Sequence, residues 1–79
     1  LLEHDDLVDV AVAGTVAAIS VAPGDLVEAG QPLVCVEAMK MEMWLVARSG
    51  GRVRSVHVEL RQSVEAQAVL VELEIEEKD

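Results

Sequence analysis

Lys40 stands between Met39 and Met41 and follows Glu37-Ala38, so a primary amine sits at the midpoint of a 79-residue chain. Acylating a lysine requires its neutral amine, and at an ordinary lysine pKa of about 10.4 little of that form exists at pH 7. No neighbour in sequence is an obvious base, and the flanking methionines are soft, adaptable apolar groups. A lysine in this setting reads as a substrate for modification by a separate ligase, which must supply both the activated acyl group and the deprotonation. The other reactive side chains are less suggestive. Cys35 is the sole cysteine, so no internal disulfide can form, and neither histidine lies near it in sequence to act as its base. His4 and His57 are isolated and lack paired metal-ligand spacing. The chain contains no phosphate-binding glycine loop, nucleophile elbow or paired catalytic carboxylates.

Two strands must present this lysine. Residues 41–46 read as one strand, and 32–37, with the apolar run Val34-Cys35-Val36, as the strand before it. A tight hairpin normally carries Asn-Gly, Asp-Gly or Gly-X at its tip, because the favoured turns need positive φ. Met-Lys violates that preference, which points to a functional constraint at the tip.

The rest of the chain is one unit used twice. At an offset of 37, Gly14 falls on Gly51, Val16 on Val53, Ile19 on Val56, Val21 on Val58, Val27-Glu28-Ala29 on Val64-Glu65-Ala66, Leu33-Val34 on Leu70-Val71 and Glu37 on Glu74. Two copies are too few to stack as a solenoid, so two halves facing each other across a pseudo-two-fold axis are expected. Each half reads strand, loop, strand: 15–21 and 32–37, then 52–58 and 69–75. Alternation breaks at the same place in both first strands, which predicts a shared bulge. In 69–75, Val69, Val71, Leu73 and Ile75 alternate with Leu70, Glu72 and Glu74. Residues 7–12, with Val8, Val10 and Val12 alternating, add an N-terminal strand, and Ala22-Pro23-Gly24-Asp25 is a tight turn. Val64, Ala68, Val71 and Ile75 would also share a helix face, but the repeat lays that segment over Gly30 and Pro32, which a helix interior does not tolerate. The expected fold is all-β, with six to eight short strands in two packed sheets or a flattened barrel.

Composition agrees. The fifteen valines, with Trp44 as the sole aromatic residue, suit pleated sheets around an aliphatic core. The length allows one domain, residues 1–79 with a core of about 8–75, and leaves no room for a deep substrate cleft. A formal charge of −9 argues against nucleic acid or an anionic membrane as partner. Five of the six basic residues, Lys40, Arg48, Arg52, Arg54 and Arg61, nonetheless fall between 40 and 61, while both chain ends are acidic. This pattern reads as a solvated surface, as do Glu72, Glu74, Glu76 and Glu77. No segment is long and apolar enough to span a membrane. The start at Leu1 suggests a domain cut from a larger polypeptide, and a lone thiol fits a reducing compartment.

Gly14-Thr15-Val16, Pro23-Gly24-Asp25, Val27-Glu28-Ala29-Gly30-Gln31 and Glu37-Ala38-Met39-Lys40-Met41-Glu42 resemble the motifs of biotinyl (biotin carboxyl carrier) domains, and the resemblance runs from about Val8 to Ile75. It implies a flattened barrel of two four-stranded antiparallel sheets with pseudo-two-fold symmetry and the lysine on a hairpin turn. It further implies biotin in amide linkage on Lys40, with Met39, Met41, Ala38 and Glu37 serving recognition or positioning of the cofactor arm. The implied partners are a biotin protein ligase and the biotin carboxylase and carboxyltransferase parts of an acyl-CoA or pyruvate carboxylase, in the cytoplasm or the mitochondrial matrix. Such a domain catalyses nothing alone; tethering raises the effective concentration of its cargo at each site. Lipoyl domains share the fold but typically have Asp-Lys-Ala around the lysine, and a third class uses the barrel unmodified as a structural module. The thumb inserted in some stand-alone carriers before the turn that here is Ala22-Pro23-Gly24 is absent. The second half departs from the pattern: Leu60-Arg61-Gln62-Ser63-Val64 replaces a Gly-Asp turn, Gln67 stands opposite Gly30, and Arg48 replaces a proline after Ala47. If these turns keep their geometry, Arg61 and Gln67 must accept positive φ. Trp44 is expected to be a partly buried hairpin residue; an exposed Trp near the cofactor would instead suit partner contact.

Overall fold

A computed structural model describes residues 6–75, which form eight strands and, within that range, no helix. These are β1 (Leu7–Asp9), β2 (Gly14–Ile19), β3 (Leu26–Val27), β4 (Pro32–Ala38), β5 (Met41–Val46), β6 (Gly51–Val56), β7 (Ser63–Val64) and β8 (Val69–Ile75). One four-stranded sheet has the order β1-β8-β6-β3 and the other β5-β4-β2-β7, with antiparallel pairing throughout. The repeat offset carries β2, β3 and β4 onto β6, β7 and β8, and β1 onto the last three residues of β5. The two sheets are therefore symmetry copies, as the sequence repeat implies.

The shared bulge is present. The β2–β4 register shifts between Val16 and Ala18, and the β6–β8 register shifts at the equivalent positions, Val53 and Ser55. A second matched irregularity was not legible in the alternation pattern. Leu33 is skipped in the β4–β5 register and Leu70 in the β1–β8 register, and both are wholly buried beside buried Val34 and Val71. Consecutive inward residues are what a bulge permits, so Leu70 belongs to the core rather than to the outer face that strict alternation gives it. The core consists of Val, Leu and Ala side chains from both sheets, including Val10, Val16, Val36, Val53 and Leu73. No polar or charged side chain is buried among the described residues.

The N-terminal strand is shorter than the expected 7–12. β1 ends at Asp9, Val10 still reaches the core and donates its N–H to Ala68 O at 3.1 Å, and Val12 is exposed. β3 and β7 escaped the sequence reading, because two residues carry no measurable period.

The halves are interlocked by their turns. Four turns, 22–25, 28–31, 59–62 and 65–68, place a positive φ at their third residue: Gly24 at 96°, Gly30 at 86°, Arg61 at 72° and Gln67 at 71°. Each of these residues donates its N–H to a carbonyl in the opposite half. Gly24 reaches Val53 O at 2.8 Å and Arg61 reaches Val16 O at 2.8 Å; Gly30 reaches Ala47 O at 2.7 Å and Gln67 reaches Val10 O at 2.6 Å. The turns of the second half thus keep the geometry of the first, with Arg61 and Gln67 forced into a region that L-residues resist. Asp25 Oδ2 accepts the Ala22 N–H at 2.8 Å, and Gln62 Oε1 accepts the Glu59 N–H at 2.9 Å, so different side chains close equivalent turns. Residues 20–25 link β2 to β3 with no inserted segment.

Candidate functional site

β4 and β5 form the hairpin that carries the lysine. Ala38 pairs with Met41 and Glu37 with Glu42, leaving Met39 and Lys40 as a two-residue turn. Their φ values are 53° and 64°. Positive φ at both central residues is the type I′ pattern, whose twist matches that of paired strands. The sequence shows that Met-Lys is a poor local choice; the fold imposes the conformation regardless. At about 1–2 kcal/mol for each L-residue held in the left-handed region, the turn stores strain that the flanking strands must offset.

The consequence is exposure. Met39 is 91% exposed and Met41 67%, and Lys40 is exposed between them. No hydrogen bond or ion pair engages the Lys40 amine among the described residues. Ala38 is partly buried at the hairpin base, and Glu37 and Glu42 face each other across β4 and β5, both exposed. Like charges directly opposite are unfavourable, so this acidic pair is a further cost at the base of the turn. The five residues singled out in the sequence thus share one hairpin tip, a projecting handle and not a cleft. An open groove of about 180 Å³ runs elsewhere, lined by Val8, Asp9, Trp44, Leu45, Val46 and Arg48, and none of Glu37 to Met41 contributes to it.

Cys35 lies in the middle of β4, between Ala18 on β2 and Trp44 on β5, and is buried. Burial pushes its thiol pKa up; the charges of Glu42 and Glu37 add to the rise, and a backbone hydrogen bond at Met43 opposes it. A thiol held protonated is a poor nucleophile and a poor metal ligand. Trp44, expected to be partly buried, is 46% exposed and lines the groove. His57, isolated in sequence, places Nε2 3.1 Å from Glu72 Oε2, so Glu72 is not simply solvated. His4 and the 76–79 tail lie outside the described residues. Arg48, Arg52, Arg54 and Arg61 are exposed on the β5–β6 connection, β6 and the β6–β7 turn, and Arg52 donates to Gly24 O at 3.2 Å. No helix among the described residues is long and apolar enough to cross a membrane.

Sequence reasoning missed the contribution of Gly14. An added Cβ there would stand 2.5 Å from Glu37 O at the hairpin base. The match of Gly14 to Gly51 in the repeat was the available signal.

A lysine turn projecting from a two-fold sandwich of eight strands presents its amine outward, as a carrier domain does. Residues 6–73 match the family model described as "Biotin-requiring enzyme", and the chain belongs to that family. It is 48% identical over 61 residues to the mitochondrial propionyl-CoA carboxylase alpha chain of Sus scrofa, covering 77% of this chain and 8% of that one. It is 45% identical over 53 residues to the biotin carboxyl carrier protein of Streptococcus mutans, covering 67% of this chain and 41% of the relative. The urea carboxylase of Kluyveromyces lactis superposes with a TM-score of 0.80 at 31% identity, over 85% of this chain and 6% of that one. The chain therefore spans less than half the length of each of these relatives.

Proposed function

We propose that this chain is the biotin carrier domain of a biotin-dependent carboxylase, with biotin in amide linkage to Lys40 Nζ. The observation that carries the reading is the Met39-Lys40 turn: a strained I′ tip holds an exposed, unengaged amine beyond the end of two paired strands. The fit is sterically open, since Met39 and Met41 flank the amine without covering it. When attached, biotin supplies a ureido nitrogen able to accept and release a carboxyl group.

The residues of the chain bind, orient and deliver. β4 and β5 set the direction of the Lys40 side chain, Met39 and Met41 offer apolar contact to a ligase or to the arm, and Glu37 and Ala38 fix the base of the hairpin. One domain with a core of about 8–75 would move its cargo between a biotin carboxylase and a carboxyltransferase site, and attachment to the same assembly raises its effective concentration at both. The acceptor would be an acyl-CoA or pyruvate, as the names of the relatives suggest, in the cytoplasm or the mitochondrial matrix.

The test is the intact mass of the chain after co-expression with a biotin protein ligase and excess biotin, beside Lys40→Arg. One biotin on the wild type and none on the folded variant is the expected result. An unmodified, folded wild type, or a lipoyl adduct in its place, would refute the reading.

A further inference from the structure

Gly14 opens β2 and lies against the last residues of β4 before the turn. A Cβ at this position would stand 2.5 Å from Glu37 O, 2.8 Å from Val36 Cγ1 and 3.2 Å from Ala38 Cβ. Gly14 is not among the glycines with positive φ, so the requirement for glycine is close approach and not backbone freedom. β2 begins here, whereas β4 continues to Ala38 and then turns. On the β2 side, Thr15↔Glu37 is the last register pair below the tip, and Gly14 sits at the point where support from the third strand ends.

We propose that Gly14 is a positioning residue for Lys40. Its missing side chain lets β2 lie directly against Val36–Ala38 and so sets the height and tilt of the Met39-Lys40 turn. A methyl group here must force Gly14 and the hairpin base apart, because the nearest obstacle is a backbone oxygen and not the end of a flexible side chain. The contacts fall two to four residues before Lys40, at Ala38, Glu37 and Val36. Misplacement of a reacting group by about 1 Å can cost on the order of 100-fold in rate.

This proposal rests on the reading of Lys40 as the acylated residue. The step concerned is attack of Lys40 Nζ on the acyl carbon of biotin that the ligase has activated, at the cost of ATP, as a mixed anhydride with a phosphate. The N–C amide bond forms, the acyl C–O bond to phosphate breaks with the electron pair leaving on the phosphate, and one amine proton passes to the ligase or to water.

The fold supplies its own control. Gly51 is the repeat copy of Gly14, and a Cβ there would collide with Glu74 O just as one at Gly14 collides with Glu37 O. That contact lies in the other sheet, at the end of β8, and not at the base of the Met39-Lys40 hairpin. Gly14→Ala and Gly51→Ala therefore deliver the same steric insult, one beside the acceptor amine and one away from it.

The experiment measures kcat and KM of a biotin protein ligase for the wild type, Gly14→Ala and Gly51→Ala. The folded fraction of each is fixed by circular dichroism, in an osmolyte that favours the compact state. The expected result is a kcat lower by 10- to 100-fold for Gly14→Ala with KM changed less than about 3-fold, and both constants within about 3-fold of wild type for Gly51→Ala. A second pair removes atoms instead of adding them: Val36→Ala beside Gly14 and its repeat copy Leu73→Val. Here the expectation is a slowed kcat for the first and no change for the second. Equal slowing within the folded pairs, or no slowing in either pair, overturns the positioning role while leaving Lys40 as the acceptor. A wild type that takes up no biotin overturns the carrier reading itself.

Discussion

Arg61→Gly and Gln67→Gly should stabilise this domain, although both remove side chains and replace them with the most flexible residue. Their φ values of 72° and 71° place them in the left-handed region, where their repeat copies are Gly24 and Gly30. An L-residue there costs about 1–2 kcal/mol. Glycine returns about 0.5–1 kcal/mol of that through the extra freedom of its unfolded chain. The net gain is about 0.5–1 kcal/mol per site. Both side chains are exposed, so little packing is lost. The sites lie in separate turns and their effects should add. The converse substitutions complete the test: nothing lies within 4 Å of a Cβ built at Gly24 or Gly30, so Gly24→Ala and Gly30→Ala report backbone strain free of any clash and should destabilise by about the same amount. Urea unfolding followed by circular dichroism, with an unchanged m value, is the assay. A gain of 1 kcal/mol raises Tm by about 4–8 °C in a domain of this size. Stability at or below wild type for both Arg61→Gly and Gln67→Gly would refute the argument that cross-half hydrogen bonding, and not residue preference, dictates these four turns.

Leu33→Ala and Leu70→Ala, each deleting a wholly buried side chain at a bulge, should cost about 2–5 kcal/mol apiece by the same urea titration, enough to leave either variant largely unfolded on warming. Asp25→Ala and Gln62→Ala, which strip equivalent turns of their N–H acceptors, should each cost about 1 kcal/mol in chemical denaturation despite the difference in side chain. The Cys35 thiol should resist alkylation in the native domain and react at a rate that tracks unfolding, as timed mass spectrometry would show. Its folded pKa is raised above the ordinary value of 9.0, so below that pH both states keep the proton and stability is unaffected. As pH climbs past it, the unfolded chain ionises first and stability falls; Cys35→Ala should flatten that alkaline decline, and an unaltered slope would refute the assignment.

The sequence by itself determined the duplicated architecture, because a repeat of apolar positions at an offset of 37 can be satisfied only by two like layers sharing one core. It also determined the lysine tip, the limits of β5 and β8 and the paired bulges, since these rest on period and on local turn chemistry. What only the tertiary structure decided are features whose cause lies in the other half of the chain. Arg61 and Gln67 adopt positive φ because their N–H groups must reach Val16 and Val10 across the sandwich, a demand that no local window contains. β3 and β7 are strands only because β6 and β2 lie beside them. Leu33 and Leu70 turn inward because their partner strands skip them, and Glu72 finds His57 across adjoining segments of one sheet face. Gly14 reads in sequence only as the repeat partner of Gly51 and the start of the Gly14-Thr15-Val16 motif; its close approach to Glu37 exists only once β2 and β4 are paired.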